Sequence, residues 1–177
     1  MVFTSTELAN TAGASPRSLS VALQGLVKTG VLVRSAAGRY GLPGAVNLED
    51  LVPTLDTSAY ITGMHALYKR QAITQTPTEI ICFTTRRHNR SRIRNTPLGR
   101  IVFVCVGKSV YSPPRNGVVA SAEQALCDFV LVCRKRGVRA VSLVSFRNLD
   151  RLNRKVLRAH LSKYPDAVRR EVTGLLQ

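Results

Sequence analysis

Arginine is concentrated in one short segment of the chain, "RRHNRSRIR" (86–94). The segment contains five arginines in nine residues and no carboxylate that could pair with them. Side chains of like charge at this density repel one another unless a polyanion neutralises them. We therefore predict that this arginine run contacts nucleic-acid phosphates; a solvated loop and an acidic protein partner are the alternatives. Its members are Arg86, Arg87, Arg90, Arg92 and Arg94.

A second group of cations is expected at the end of a strongly apolar helix. The segment "SAEQALCDFVLVCRKRG" (121–137) begins with Ser121 and Gln124, which form a capping pair, and its apolar middle predicts a central position. Basic side chains in the last turn of a helix are stabilised by the helix dipole. We place three of them in the same phosphate-binding set: Arg134, Lys135 and Arg136.

Residues 15–30, "SPRSLSVALQGLVKTG", have the signals of a short amphipathic helix. Ser15 is a suitable N-cap, Pro16 suits the first turn, and Gly30 suits the C-terminal stop. At about 100° per residue, the helix has one apolar and one polar side. The apolar side consists of Leu19, Ala22, Leu23 and Leu26, and the polar side of Arg17, Ser20, Gln24 and Lys28.

The neighbouring segments favour a winged helix-turn-helix. Residues 4–12 predict a helix that begins with a capping box, and residues 31–42 predict a two-stranded hairpin. Helix, turn, helix and hairpin is the order of that DNA-binding motif. The polar side would then lie in a major groove, although such a side is also typical of a solvated helix. The predicted contacts are Arg17, Ser18, Ser20, Val21, Gln24 and Lys28 on the helix, and Arg34 and Arg39 on the wing.

The charge of the chain is distributed unevenly. The 177 residues include 26 Lys and Arg against 10 Asp and Glu, which gives a net charge of +16. Residues 1–56 hold four basic and four acidic side chains, so the whole excess lies after them. We predict an α+β protein with three parts: a winged helix-turn-helix over 1–46, a linker over 47–56 within the Pro- and Gly-containing segment 41–56, and a basic mixed α/β domain over 57–177. In the third part we expect a helix over 58–73, strands over 79–85 and 100–107, and two C-terminal helices.

The sequence has no arrangement of residues that is typical of catalysis. The histidines are isolated, and His65 is expected to be structural. Four well-separated cysteines are expected to be buried thiols rather than metal ligands or disulfides. A metal-dependent nuclease needs paired carboxylates, for which Glu79 and Asp128 are the individual candidates. We therefore expect no enzymatic activity, no cofactor and no bound metal.

The chain also lacks the patterns of a membrane or exported protein. No apolar run approaches the roughly 18–20 residues that span a bilayer. The segment "MVFTSTELA" has no signal-peptide pattern. We expect a cytoplasmic protein with no membrane partner.

Several segments, taken in order, resemble the AbiEi family of type IV toxin–antitoxin antitoxins and viral-defence transcriptional regulators. The similarity covers about residues 3–160 and is carried by "GRYGLP", "AYITGMHAL", "QTP" and "ASAEQALCDFV". Family members usually have a further helix before the segment that matches "VFT". In this sequence "VFT" stands at residues 2–4. The resemblance therefore implies a winged domain without the usual first helix.

The resemblance implies a repressor of its own operon. Its winged domain would bind double-stranded promoter DNA at inverted repeats, and the protein would neutralise a nucleotidyltransferase toxin encoded beside it. A basic RNA-binding or nucleoprotein-assembly subunit, with the arginine run as its main contact, is the alternative from a different class. The operator sequence, the toxin and the oligomeric state do not follow from the residues.

Overall fold

The computed structural model describes residues 2–177, which fold into helices and two separate β-sheets. The sheets have three and four strands. This arrangement confirms the predicted α+β class. Among the helices of residues 2–177, none combines the length and the apolar character that a bilayer crossing requires.

The N-terminal part consists of a short sheet and two consecutive helices. Its elements are β1 (Phe3–Thr4), α1 (Ser5–Ala12), α2 (Pro16–Lys28), β2 (Val33–Ala36) and β3 (Arg39–Gly41). β3 lies between β1 and β2 and is antiparallel to both. The predicted helix starts are confirmed: the Glu7 N–H donates to the Thr4 hydroxyl, and the Ser18 N–H donates to the Ser15 hydroxyl.

The apolar side of α2 is only half covered. Leu19 and Leu23 are buried, as predicted, whereas Leu26 keeps 38% of its surface exposed and Ala22 is also exposed. The preceding helix α1 contains no buried residue and so encloses little of α2. The predicted apolar side is therefore wrong for Ala22 and Leu26, because no element of residues 2–177 encloses that part of the helix.

Residues 48–55, within the predicted linker over 47–56, form a helix that the sequence did not indicate, α3 (Leu48–Leu55). Asn47 and Asp50 form a capping box through reciprocal side-chain and backbone hydrogen bonds. Leu51 and Val52 are fully buried against the second sheet. Their burial outweighs the backbone hydrogen bond that Pro53 removes from the helix.

The second sheet and the remaining helices form the C-terminal part. The strands are β4 (Tyr60–Thr62), β5 (Glu79–Thr84), β6 (Ile93–Thr96) and β7 (Gly99–Cys105), and they lie in the order β4-β5-β7-β6. β5 and β7 are parallel, and the two outer pairs are antiparallel. The helices are α4 (Gly63–Lys69), α5 (Ala122–Lys135), α6 (Arg154–Leu161) and α7 (Asp166–Gly174).

The predicted helix over 58–73 is wrong at both ends, since residues 60–62 are a strand and α4 ends at Lys69. Tyr, Ile and Thr favour extended backbone, and Gly63, with φ of 64°, provides the turn from β4 into α4. The two C-terminal helices are confirmed, with Pro165 immediately before the second.

Each face of the second sheet has its own core. Phe83 faces α5, where it belongs to the same buried cluster as Leu126 and Val130. Ile80 and Ile101 face α3 on the other side. α3 therefore joins the N-terminal part to the sheet that carries the arginine run.

A buried carboxylate, Asp128, ties α5 to its neighbours. The hydroxyls of Tyr164, Thr62 and Tyr60 donate to it at 2.5, 2.7 and 3.2 Å. Burial raises the pKa of Asp128 to about 7, although the three hydrogen bonds act to lower it. The residue is completely enclosed, so we assign it a structural role.

Candidate functional site

A groove of about 670 Å³ opens where α5 ends beside β6 and β7. We call it the basic groove, because five of its side chains are cations and one is a carboxylate, Glu79. The last turn of α5 forms one wall, and the loop before β6 together with the two strands forms the other. The cations are Arg87, Arg92, Arg100, Lys135 and Arg136.

The basic groove brings together two groups that are about 40 residues apart in the sequence. Arg87 and Arg92 come from the arginine run, and Lys135 and Arg136 come from the end of α5. Their proximity supports the prediction that both groups belong to one surface. Arg100 adds a cation that sequence reasoning missed.

The other four predicted phosphate-binding residues lie outside the basic groove. Arg90 in the turn before β6 and Arg94 on β6 are exposed. Arg86 is also exposed, and one of its guanidinium nitrogens lies 3.8 Å from Asp56 Oδ1. Arg134 donates to Glu171 on α7 at 2.5 Å. Its guanidinium therefore joins two helices, which differs from the predicted phosphate contact.

Glu79 organises the cations on one side of the basic groove. Its carboxylate lies 3.3 Å from the Arg100 guanidinium and 3.9 Å from that of Arg136. The side chain is only 25% exposed, so it is screened less by water than a fully solvated carboxylate. Glu79 thus holds two arginines that come from different elements, β7 and the end of α5.

The floor of the basic groove is apolar. Arg100, Val102 and Val104 alternate along β7, so their side chains project from the same face of the strand. Val132 of α5 contributes from the opposite wall. The site therefore combines a cationic rim with an aliphatic surface below it.

The loop that carries the arginine run is fastened to the buried carboxylate of Asp56. His88 Nε2 lies 2.8 Å from Oδ2, and the Thr84 hydroxyl donates to the same oxygen at 2.7 Å. The Ser58 hydroxyl donates to Oδ1 at 2.7 Å. The His88 ring also stacks on Phe103, with ring centroids 4.3 Å apart. The loop is thereby fixed against β7.

The environment of Asp56 keeps its carboxyl group ionised at neutral pH. Burial raises the pKa of the carboxyl, but the hydrogen bonds from Thr84, His88 and Ser58 outweigh it and lower the pKa to about 2. Because Asp56 is ionised, we assign the Nε2 proton of His88 to the bond between them. The expectation that His88 is isolated is therefore wrong: no partner is near it in the sequence, but the fold brings the carboxylate of Asp56 to its ring.

The predicted contacts on α2 are on its solvent side. Arg17, Ser20, Gln24 and Lys28 are exposed, and Val21 keeps 68% of its surface accessible. Ser18 differs, because its hydroxyl donates to the Ser15 carbonyl and so belongs to the cap. The exposed side of α2 therefore offers cationic, amide, hydroxyl and apolar groups without a carboxylate.

The two wing arginines have different surroundings. Arg34 is exposed on β2. Arg39 donates through Nε to the Thr54 hydroxyl at 2.8 Å, through Nη2 to the Thr54 carbonyl, and through Nη1 to the Ala37 carbonyl at 3.2 Å. Arg39 therefore attaches the hairpin to the end of α3, a positioning role that differs from the predicted DNA contact.

Two of the residues that shape the site were not identified from the sequence. Asp56 could have been found from "DTS", since Asp followed two residues later by Ser is typical of an Asx turn. Arg100 could have been found from its alternation with valines on a strand. Neither pattern indicates which distant loop the residue meets.

The remaining candidates are placed as follows. His65 Nε2 lies 2.8 Å from Glu49, which also pairs with Lys69 at 2.6 Å, so its predicted structural role fits. Three cysteines are buried, but Cys105 is exposed in the basic groove, which corrects the expectation of four buried thiols. Within residues 2–177, no three His, Cys, Asp or Glu side chains are grouped so that they could hold a metal.

Comparisons with known proteins inform the fold alone. The chain matches no family model and no curated protein. It is similar to the crystal structure of the RV2827C protein from Mycobacterium tuberculosis, with a TM-score of 0.62 and 17% identity. The similarity covers 99% of this chain and 71% of that protein.

Proposed function

We propose that this protein is a DNA-binding transcriptional regulator whose helix α2 contacts the major groove. The observation that carries the proposal is the exposed side of α2, which has no carboxylate and is followed by an antiparallel hairpin. In a winged helix-turn-helix, the second helix of the motif occupies the major groove and the hairpin lies beside it. Arg and Gln read guanine and adenine, and an apolar group such as Val21 contacts the thymine methyl.

The cations of the C-terminal part would supply affinity rather than selectivity. Phosphate contacts position a protein on DNA, whereas contacts to base edges discriminate sequences. Arg86, Arg90 and Arg94 are exposed and lie outside the basic groove, so they suit a duplex backbone. Asp56 and His88 would hold the loop that presents two of them.

The biological role that we infer is that of an autorepressing antitoxin, as the resemblance to the AbiEi family implies. The protein would bind inverted repeats in its own promoter and counteract a nucleotidyltransferase toxin, as part of antiviral defence in the cytoplasm. Co-expression with the product of the adjacent gene tests this role. Rescue of growth supports the antitoxin function, and continued toxicity contradicts it.

The DNA-binding proposal is tested by footprinting and fluorescence anisotropy on the promoter of the protein's own gene. Arg17→Ala and Gln24→Ala should each lower the ratio of specific to non-specific affinity by about 1–3 kcal/mol. Arg158→Ala, which removes an exposed cation from α6, is the control that should keep this ratio. If both α2 variants protect the promoter like the parent protein, α2 does not read bases.

A basic RNA-binding subunit is the second candidate, because the basic groove is concave and a duplex backbone is convex. Binding to duplex DNA and to structured RNA, each measured over a range of salt concentrations, separates the two functions. A regulator prefers its promoter duplex at every salt concentration. An RNA-binding subunit prefers structured RNA and does not respond to changes on α2.

A further inference from the structure

The basic groove adjoins a second, more apolar cavity of about 240 Å³. The two cavities share Glu79, Val132 and Arg136 as common lining. The second cavity is lined mainly by residues of α4, α5 and β5, among them Met64, Ile81 and Phe129, and Leu143 from the segment after α5 also lines it. A ligand that fills both would meet cations at one end and hydrocarbon at the other.

This combination fits an unpaired nucleotide better than a DNA duplex. A duplex presents phosphates at its surface and keeps the faces of its bases stacked inside. An unpaired nucleotide presents a phosphate and, a few ångströms away, the free face and edge of its base. Sites for unpaired strands accordingly combine a cationic track with aromatic side chains on which bases stack, and ligand pockets typically combine hydrophobic and aromatic walls with a few polar groups.

The cations in the basic groove differ in whether they form an ion pair with a carboxylate. Glu79 pairs with Arg100 and Arg136 and holds them at the junction of the two cavities. Within residues 2–177, Arg87, Arg92 and Lys135 form no such pair, so they are the cations available to a phosphate. The carboxylate of Glu79 can also accept a hydrogen bond from an N–H group on the edge of a base, such as the N3–H of thymine.

We propose that the basic groove and the adjoining cavity bind an unpaired nucleotide. Its phosphate lies against Arg92 and Lys135, and its base lies over Val102 and Val104 towards the second cavity. The inference deepens the proposed function, because it rests on a nucleic-acid ligand and gives the basic groove a contact distinct from duplex reading by α2. The nucleotide comes from one of two sources, a single strand or a free nucleotide.

Cys105 provides a direct measurement of occupancy. It is exposed and lines the basic groove, while the other three cysteines are at most 1% exposed. Iodoacetamide should therefore alkylate Cys105 selectively, and mass spectrometry gives the rate. At a ligand concentration of about ten times Kd, the rate should fall roughly tenfold, because only the unliganded fraction reacts.

Three ligands test the proposal on the full chain. A thymidine oligomer of about 12 nucleotides, a length within the range of such sites, should protect Cys105. The same strand annealed to its complement should protect it at least several-fold less. Thymidine monophosphate identifies the source: protection by it indicates a free nucleotide, and protection by the oligomer alone indicates a strand. Equal protection by duplex and single strand, or none by any ligand, overturns the proposal.

Substitutions test whether Arg92 and Lys135 bind the phosphate of the ligand that protects Cys105. Arg92→Ala and Lys135→Ala should each weaken binding of the oligomer and lower its salt slope by about 0.7, the value for one phosphate on a single strand. Arg158→Ala removes the same charge far from the basic groove and should change neither quantity. Unchanged slopes in both groove variants would contradict the placement of the phosphate.

The outcome is separable from that of the proposed function. If α2 variants lose promoter selectivity while no ligand protects Cys105, the regulator proposal stands and this inference fails. If the single strand protects Cys105 while the promoter is not recognised, the inference stands and the duplex-reading proposal fails.

Discussion

The N-terminal and C-terminal parts of the molecule differ in charge and in burial. Residues 1–56 carry no net charge, whereas the remainder carries the full excess of +16. In the N-terminal part, α2 buries Leu19 and Leu23, whereas the second sheet has a core on each of its faces. In the proposed complex with DNA, the neutral part with its exposed helix would select among sequences, and the basic, well-packed part would supply affinity. The comparison can be tested through stability, pH and salt.

The largest expected difference between the two parts is in packing. Leu126 on α5 is fully buried, and Leu126→Ala should lower the free energy of unfolding by about 2–5 kcal/mol, since it removes buried surface and leaves a cavity. Leu26→Ala on the half-covered side of α2 should cost less than about 1 kcal/mol. Urea unfolding of both variants measures the difference. Equal losses would show that α2 is covered in solution.

Local signals in the sequence were sufficient to predict where the helices α1 and α2 begin. Capping residues determine where a helix begins through contacts within one turn, so Thr4 and Ser15 could be assigned correctly. The start of helix α5 in the C-terminal part, with Ser121 as its cap, could be predicted for the same reason. Interactions of this short range do not depend on the rest of the fold.

For the site itself, the sequence could predict which residues are basic but not how they are arranged in space. The arginine run and the end of α5 were identified as basic, but their meeting in one groove depends on the parallel pairing of β5 with β7. The helix α3 was missed because Pro53 is a strong local signal against a helix, while the burial of Leu51 depends on a distant sheet. The hydrogen bond between Asp56 and His88 depends on the same long-range packing.

The stability of the C-terminal core should depend on pH through the buried carboxyl group of Asp128. The pKa of Asp128 is raised to about 7 from 3.8, so the folded protein binds a proton there that the unfolded chain loses near pH 4. Its contribution to stability is full below about pH 4 and is lost as the pH rises through 7. Between pH 5 and 7 the free energy of unfolding should fall by about 2 kcal/mol from this group. Asp128→Asn should remove that slope in chemical unfolding, and an unchanged slope would assign it to another group.

The pKa of Asp56 is shifted in the opposite direction to that of Asp128, so its effect on stability has the opposite pH dependence. Its pKa is lowered to about 2, so it stabilises the fold above about pH 4, and this contribution is lost as the pH falls through 2. Asp56→Asn removes the charge that His88 meets and should weaken the attachment of the arginine-bearing loop by about 1–2 kcal/mol. Hydrogen exchange of the amides of 86–92 should become faster at neutral pH. Asp150→Asn, at an exposed carboxylate, is the control, and equal exchange in both variants would contradict the role of Asp56.

The smallest expected effect separates affinity from selectivity. Arg90 and Arg94 are exposed cations outside the basic groove, so the double change Arg90→Ala and Arg94→Ala should leave the fold and the groove intact. Each lost phosphate contact lowers the salt slope of duplex binding by about 0.9, so the double variant should lose about two units. Because these residues contact no base in the proposed complex, promoter and scrambled duplexes should weaken alike. If the slope is unchanged but neutralisation of the toxin is lost, the two arginines contact an acidic protein surface. If promoter binding alone weakens, selectivity extends beyond α2, and the division between a neutral selecting part and a basic affinity part is wrong.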